Sequence, residues 1–152
     1  MKEQDPFDTV SDEAMLKFVS SMFSELNIGL LIYRLEDRDD PRSLTLMYAN
    51  PMASSYTHSD LTGLVGATIC EAFPGLSETD IPDQYADVII SGKARNLGSV
   101  EYPGDGRVER GHFSVKAFPI SSSMMGVVFE NVTLQKQLHD LVKKQIGKGQ
   151  GF

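Results

Sequence analysis

The stretch Gly106–Lys144, GRVERGHFSVKAFPISSSMMGVVFENVTLQKQLHDLVKK, decides how this chain is read. It holds two β-type runs, Arg107–Ile120 and Met124–Val132, joined by the turn Ser121–Ser123. In the first run Phe113, Val115 and Ala117 alternate with His112, Ser114 and Lys116, the period of a strand with one buried face. The second run passes with almost no loop into a polar helical segment, Thr133–Ile146. There Leu134, Leu138 and Leu141 recur at spacings of four and three, flanked by Val142 and Ile146, as in a short coiled-coil seam. A strand that runs straight into an exposed amphipathic helix suits a module that hands a change on through its end.

Upstream, Asn96–Tyr102 reads as a strand weakened by Gly98, and Pro103-Gly104-Asp105-Gly106 as the turn that folds it back as a hairpin. Before it, Asp80 and Pro82 open a helix whose positions Ile81, Tyr85, Val88 and Ile89 share one face, closed by Ser91-Gly92. Shorter helices precede it: Met52–Tyr56 behind the Asn50-Pro51 start, a turn at Leu61–Val65, and one opened by the capping box Thr68–Glu71 and stopped near Phe73 by Pro74-Gly75. Strands Ile28–Leu35 and Leu44–Ala49 flank the turn Asp37–Pro41, with Leu44, Leu46 and Tyr48 placed on one face. The chain opens on a helix with Ser11 as its N-cap and Met15, Phe18, Val19, Met22 and Leu26 on its apolar face.

This order predicts an α+β domain: a five-stranded antiparallel sheet, short helices across one face, and flanking helices at both ends. The divisions are a tail over 1–10, a flanking helix over 11–26, the sheet domain over 27–132, an exit helix over 133–146 and a tail over 147–152. The 152 residues, 41% hydrophobic and 23% charged, suffice for one core plus a helical extension. The net charge of −7, with Lys143, Lys144 and Lys148 as the only basic cluster, speaks against a nucleic-acid partner. One cysteine, no apolar leader at Met1–Asp8 and no run long enough to cross a bilayer point to a cytoplasmic protein without membrane insertion.

Several segments, in this order, resemble the PAS domain, the sensory fold of bacterial histidine kinases and related signalling proteins. Tyr48-Ala49-Asn50-Pro51-Met52-Ala53 is similar to the family's Y-x-N-P-A-A entry to its first helix, and Leu61–Gly66 to its E-L-I-G-K step. His112–Val115 with Pro119 resembles the penultimate strand, and Gly126–Thr133 the last strand with its D-I-T ending. The resemblance covers roughly Leu26–Ile146. It departs at Asn131, where the family carries aspartate, and at Met52–Thr57, which lacks the usual L-L-G-Y. Asn131 removes a charge from the strand–helix junction but keeps an oxygen able to cap the helix. The resemblance implies a sensory module that takes a ligand between helices and sheet and relays a change through its terminal helices.

The candidate reactive groups are few. Light-sensing relatives bond a flavin through a cysteine in N-C-R-F-L-Q; around Cys70 the sequence is T-I-C-E-A-F, without the asparagine, arginine and glutamine that hold the ring. Cys70 is therefore read as a small buried residue. Haem-binding relatives draw a histidine from the longer helix, and Asp80–Gly92 has none; His58 and His112 lack partners at metal spacing. The expectation is no metal, no cofactor and no catalytic residue, and a module that binds either an unidentified small molecule or a protein partner. His139, in L-H-D-L-V-K-K-Q, faintly resembles a kinase phosphoacceptor, which leaves a sensor-kinase fragment as an alternative function. No nucleotide-binding glycine motif accompanies it.

The candidate pocket is the inner face: Tyr48, Met52, Phe73, Tyr85, Ile89, Phe113 and Met125. The candidate interface is the pair of terminal helices, Met15, Phe18, Val19 and Met22 with Leu134, Leu138 and Leu141, joining a homodimer and a downstream signalling domain or protein. A dimerisation module whose core is simply filled is the third reading.

Overall fold

A computed structural model describes residues 12–105, 108 and 110–149. The expected N-cap Ser11, the tail 1–10, and Gly106, Arg107 and Glu109 of the long β run lie outside the described residues. The elements are α1 (Asp12–Glu25), β1 (Gly29–Leu35), β2 (Leu44–Ala49), α2 (Pro51–Thr57), α3 (Ile69–Ala72), α4 (Ile81–Ser91), β3 (Arg95–Tyr102), β4 (Gly111–Pro119), β5 (Met124–Asn131) and α5 (Thr133–Gly149). The strands form one antiparallel sheet in the order β2-β1-β5-β4-β3, so the chain's first two strands and last three meet at β1 and β5. This is the expected α+β architecture.

One sheet face is the core. Leu31, Tyr33 and Leu35, then Phe113, Val115 and Ala117, then Met125, Val127 and Phe129 alternate inward and are all buried. α2, α3 and α4 cross this face, and α4 contributes the buried Ile81, Tyr85, Val88 and Ile89 as its periodicity requires. Asn50 caps α2 with Pro51 following, Thr68 and Glu71 form the full capping box of α3, and Gly92 closes α4 in the left-handed region.

The departures have local causes. Leu46 pairs with Tyr33 but Tyr48 pairs with Ile32, so Met47 is an extra residue in β2. A bulge of this kind reverses the alternation behind it. Tyr48 therefore leaves the face of Leu44 and Leu46, and Ala49 takes its place in the core. α3 stops at Ala72 before Pro74-Gly75 as expected, and a separate 3-10 turn, Pro74–Leu76, follows and buries Leu76. Asp80 precedes α4 without a side-chain capping bond. β4 begins at Gly111, with the described Val108 and Arg110 ahead of it outside the strand, and α5 runs to Gly149, past the expected end at Ile146.

Candidate functional site: a core cavity joined to both terminal helices

Helices and sheet do not close completely. Between them is a cavity of about 70 Å³. It is walled by Leu31 and Tyr33 from β1, Thr57 from α2, Phe73 and Leu76 from the α3–α4 link, and Ile81 and Tyr85 from α4. Val100 and Tyr102 of β3, Val108 of the β3–β4 connection, Phe113 and Val115 of β4, and Val127 and Phe129 of β5 complete the wall. Among the described residues no charged side chain contributes.

Four hydroxyls are present. That of Thr57 donates to the Ala53 carbonyl at 2.9 Å. That of Tyr102 accepts from the Gly75 N–H at 3.1 Å and donates to the Asp105 carboxylate, whose other oxygen accepts the Val108 N–H at 2.8 Å. Tyr33 and Tyr85 supply the other two, with ring centroids 5.9 Å apart. Burial raises both phenols above their ordinary range; for Tyr33 the neighbouring Tyr85, Tyr102 and Cys70 add to it.

The cavity wall reaches the joint behind α1. Phe129 stands edge-on to Phe113, centroids 5.7 Å apart, and 6.2 Å from the Tyr56 ring. The Tyr56 hydroxyl donates at 2.5 Å to the carbonyl of Asn27, a residue in the left-handed region (φ 58°) just after α1. The fully buried Asn50 fixes the same joint. Its Nδ2 donates to the Ile28 carbonyl, and its Oδ1 accepts the N–H groups of Leu30 and Ala53, each at 2.9 Å.

A second joint lies at the start of α5. Asn131 Oδ1 accepts the Thr133 N–H at 3.0 Å, so the asparagine does cap this end. Thr133 Oγ1 accepts the His112 N–H at 3.0 Å, and a Cβ at Gly111 would stand 3.2 Å from that oxygen and 3.4 Å from the Phe113 ring. Gly111 thus lies between the wall residue Phe113 and the start of α5.

Of the seven expected pocket residues, Phe73, Tyr85 and Phe113 line the cavity. Met125 and Ile89 are buried in the core away from it. Tyr48 and Met52 are half-buried and belong to neither the cavity wall nor the core cluster. The bulge accounts for Tyr48; Met52 is on the α2 turn opposite Ala53 and Thr57, the two residues that helix buries. Tyr33, Tyr102 and Phe129 were not anticipated. Tyr33 is legible in the Leu31-Tyr33-Leu35 alternation. Tyr102 owes its place to Gly75, 27 residues distant, and has no local signal.

On the terminal helices, Phe18 (64% exposed) and Met22 (45%) form an outward row with Leu26, while Val19 is half-buried. The Met15 side chain is outside the description. Leu134 (77%), Leu138 (62%) and Leu141 are exposed along α5. His139 is exposed on the same helix, Cys70 is half-buried against the core, and His58 caps α2. No cluster of three or more His, Cys, Asp or Glu suited to a metal occurs among the described residues, and no described helix is long and apolar enough to cross a membrane.

No family model and no curated protein matches the chain. Solved structures do. An RNA-binding Light-Oxygen-Voltage receptor aligns over 98% of this chain with a TM-score of 0.60 at 12% identity; the chain spans 43% of that receptor's length. A sensory box sensor histidine kinase from Vibrio cholerae aligns over 80% of this chain and 96% of its own (TM-score 0.52, 20% identity). The PAS domain of a protein from Colwellia psychrerythraea aligns over 78% and 98% (TM-score 0.57, 13% identity). The chain has the PAS fold.

Proposed function

We propose that this chain is a cytoplasmic sensory and interaction module in which the contents of the core cavity bias the setting of α1 and α5, and that these helices pass the change to a second copy and to a downstream signalling domain or protein. The observation that carries this reading is that wall residues adjoin the two helix joints. The Phe129 ring stands beside Tyr56, which holds the Asn27 carbonyl, and Phe113 flanks Gly111, whose other neighbour is the Thr133 side chain. The solved PAS structures, named as receptors and sensor kinases, lend the reading its class.

In the proposed dimer the row Phe18, Met22 and Leu26 faces the row Leu134, Leu138 and Leu141 of the other copy in a two-fold helical bundle. Burying each leucine contributes roughly 1.5–3 kcal/mol before the cost of association. The test joins native mass spectrometry of the protein as purified with amide exchange before and after removal of any retained molecule. A retained molecule whose removal changes exchange in α1 or α5 supports the sensory reading. A dimer that retains nothing, with helices indifferent to cavity-filling substitutions, turns the assignment to a dimerisation module with a filled core. The small cavity is what favours that second reading.

A further inference from the structure

Resting on that sensory reading, we infer that the ligand class is a small, neutral, largely apolar molecule carrying at most one polar group, held against the hydroxyls of Tyr33 and Tyr85. Size sets the first limit. The cavity's 70 Å³ is about twice a water's share of liquid volume and roughly half of an engineered apolar cavity that admits benzene. A flavin, a haem or a drug-sized ligand needs several times more room.

Charge sets the second limit. Among the described residues the wall contains no Asp, Glu, Lys, Arg or His, so an ionised ligand would leave water with no counter-charge from them. Polarity sets the third. Thr57 and Tyr102 spend their hydroxyls on Ala53 and Asp105. No hydrogen bond of the Tyr33 or Tyr85 side chain is seen among the described residues, and these two phenols enter the wall side by side. A phenol donates readily to a carbonyl, hydroxyl or thioether. The burial that keeps both neutral keeps both as donors. Short ketones, alcohols and thioethers have this chemistry.

The test uses acetone and 2-propanol, their charged counterparts of similar size, acetate and isopropylammonium, and xenon as a reference without a polar group. Binding is read from NMR shifts of the Val115, Val127 and Leu31 methyls in the full chain. Acetone, 2-propanol and xenon are expected to shift these methyls saturably, with the charged pair weaker by at least about tenfold. Tyr85→Phe should weaken acetone by about fivefold, the worth of one hydrogen bond, and leave xenon unchanged. Val115→Phe, which adds a ring to the wall, should abolish all three; if it fails to fold, Tyr85→Phe alone carries the test. Equal binding of the charged probes, or loss of xenon together with acetone in Tyr85→Phe, overturns the ligand class. So does silence from every neutral probe. A larger or ionised molecule retained in native mass spectrometry would sink the class and spare the sensory reading; no retained molecule and no probe binding would sink both.

Discussion

Tyr56 donates its hydroxyl to the Asn27 carbonyl at 2.5 Å while its ring lies 6.2 Å from Phe129, so one side chain touches both the wall of the core cavity and the hinge behind the first helix. Removing the hydroxyl alone separates these roles. Tyr56→Phe keeps the ring contact and should cost about 1 kcal/mol in urea unfolding. Amide exchange in the residues after α1 should accelerate. Unchanged exchange there would mean that Asn50 holds the hinge without help.

Asn50 is the larger support. It is buried and makes three side-chain bonds, to Ile28, Leu30 and Ala53. Asn50→Ala strands the Leu30 N–H and the Ile28 carbonyl, leaves the Ala53 N–H only its bond to the Asn50 backbone carbonyl, and should cost about 3 kcal/mol. Asn50→Asp keeps the acceptor but sets oxygen against the Ile28 carbonyl, so it should also destabilise at neutral pH. Denaturant midpoints for the two variants check this; an Asp variant as stable as the parent would show that the Nδ2 bond contributes nothing.

Two glycines answer differently to the same change. A Cβ at Gly29 would meet the Phe129 ring at 2.7 Å, and that ring is buried against Phe113 and Tyr56. A Cβ at Gly126 would meet Phe118, which is half-buried and free to swing toward solvent. Gly29→Ala should therefore cost roughly 1–3 kcal/mol, as overpacking of a core does. Gly126→Ala should cost less, and thermal unfolding of both variants ranks them.

Tyr33 and Tyr85 make stability depend on alkaline pH. Both phenols are raised above the ordinary value of 10.0 by burial. The unfolded chain ionises them first, so their contribution is whole below that value and is lost as pH rises through it toward their raised values. Urea midpoints should fall between about pH 8 and about pH 11, and fall less in the Tyr33→Phe/Tyr85→Phe variant. Glu71 acts at the other end: hydrogen bonds from the Thr68 side chain, then its backbone, lower its pKa. Its contribution is present at neutral pH and is lost as pH falls through that lowered value, a loss that Glu71→Gln should remove.

The proposed dimer rests on Phe18 and Leu138, both mostly exposed. Sedimentation at micromolar concentration should give a dimer for the parent chain and a monomer for Phe18→Glu with Leu138→Glu. A monomeric parent, or a dimer indifferent to both charges, would place the interface elsewhere.

The sheet was legible because its signals are local. The alternation of Phe113, Val115 and Ala117, the Asn50-Pro51 start and the Thr68–Glu71 box each sit within a few residues and appear as read. What escaped depends on pairing. The extra Met47 is visible only against β1, and it moved Tyr48 off the inner face. Tyr102 joins the wall through Gly75 and Asp105, and Phe129 lies over a glycine 100 residues earlier in the chain. Local faces indicate which helices and strands enclose the core cavity, whereas the residues that line it are set by contacts across the sheet.

Only Val132 separates β5 from α5, and Thr133 is pinned to both Asn131 and His112. With no slack at that point, the azimuth of the leucine row is fixed by the sheet itself. Each residue inserted after Thr133 would turn everything downstream by about 100° and advance it about 1.5 Å. Seven residues would bring the row back to within about 20° of its starting direction. For an effector grafted onto this helix, rotational phase is the quantity to conserve, and linker length matters only through it.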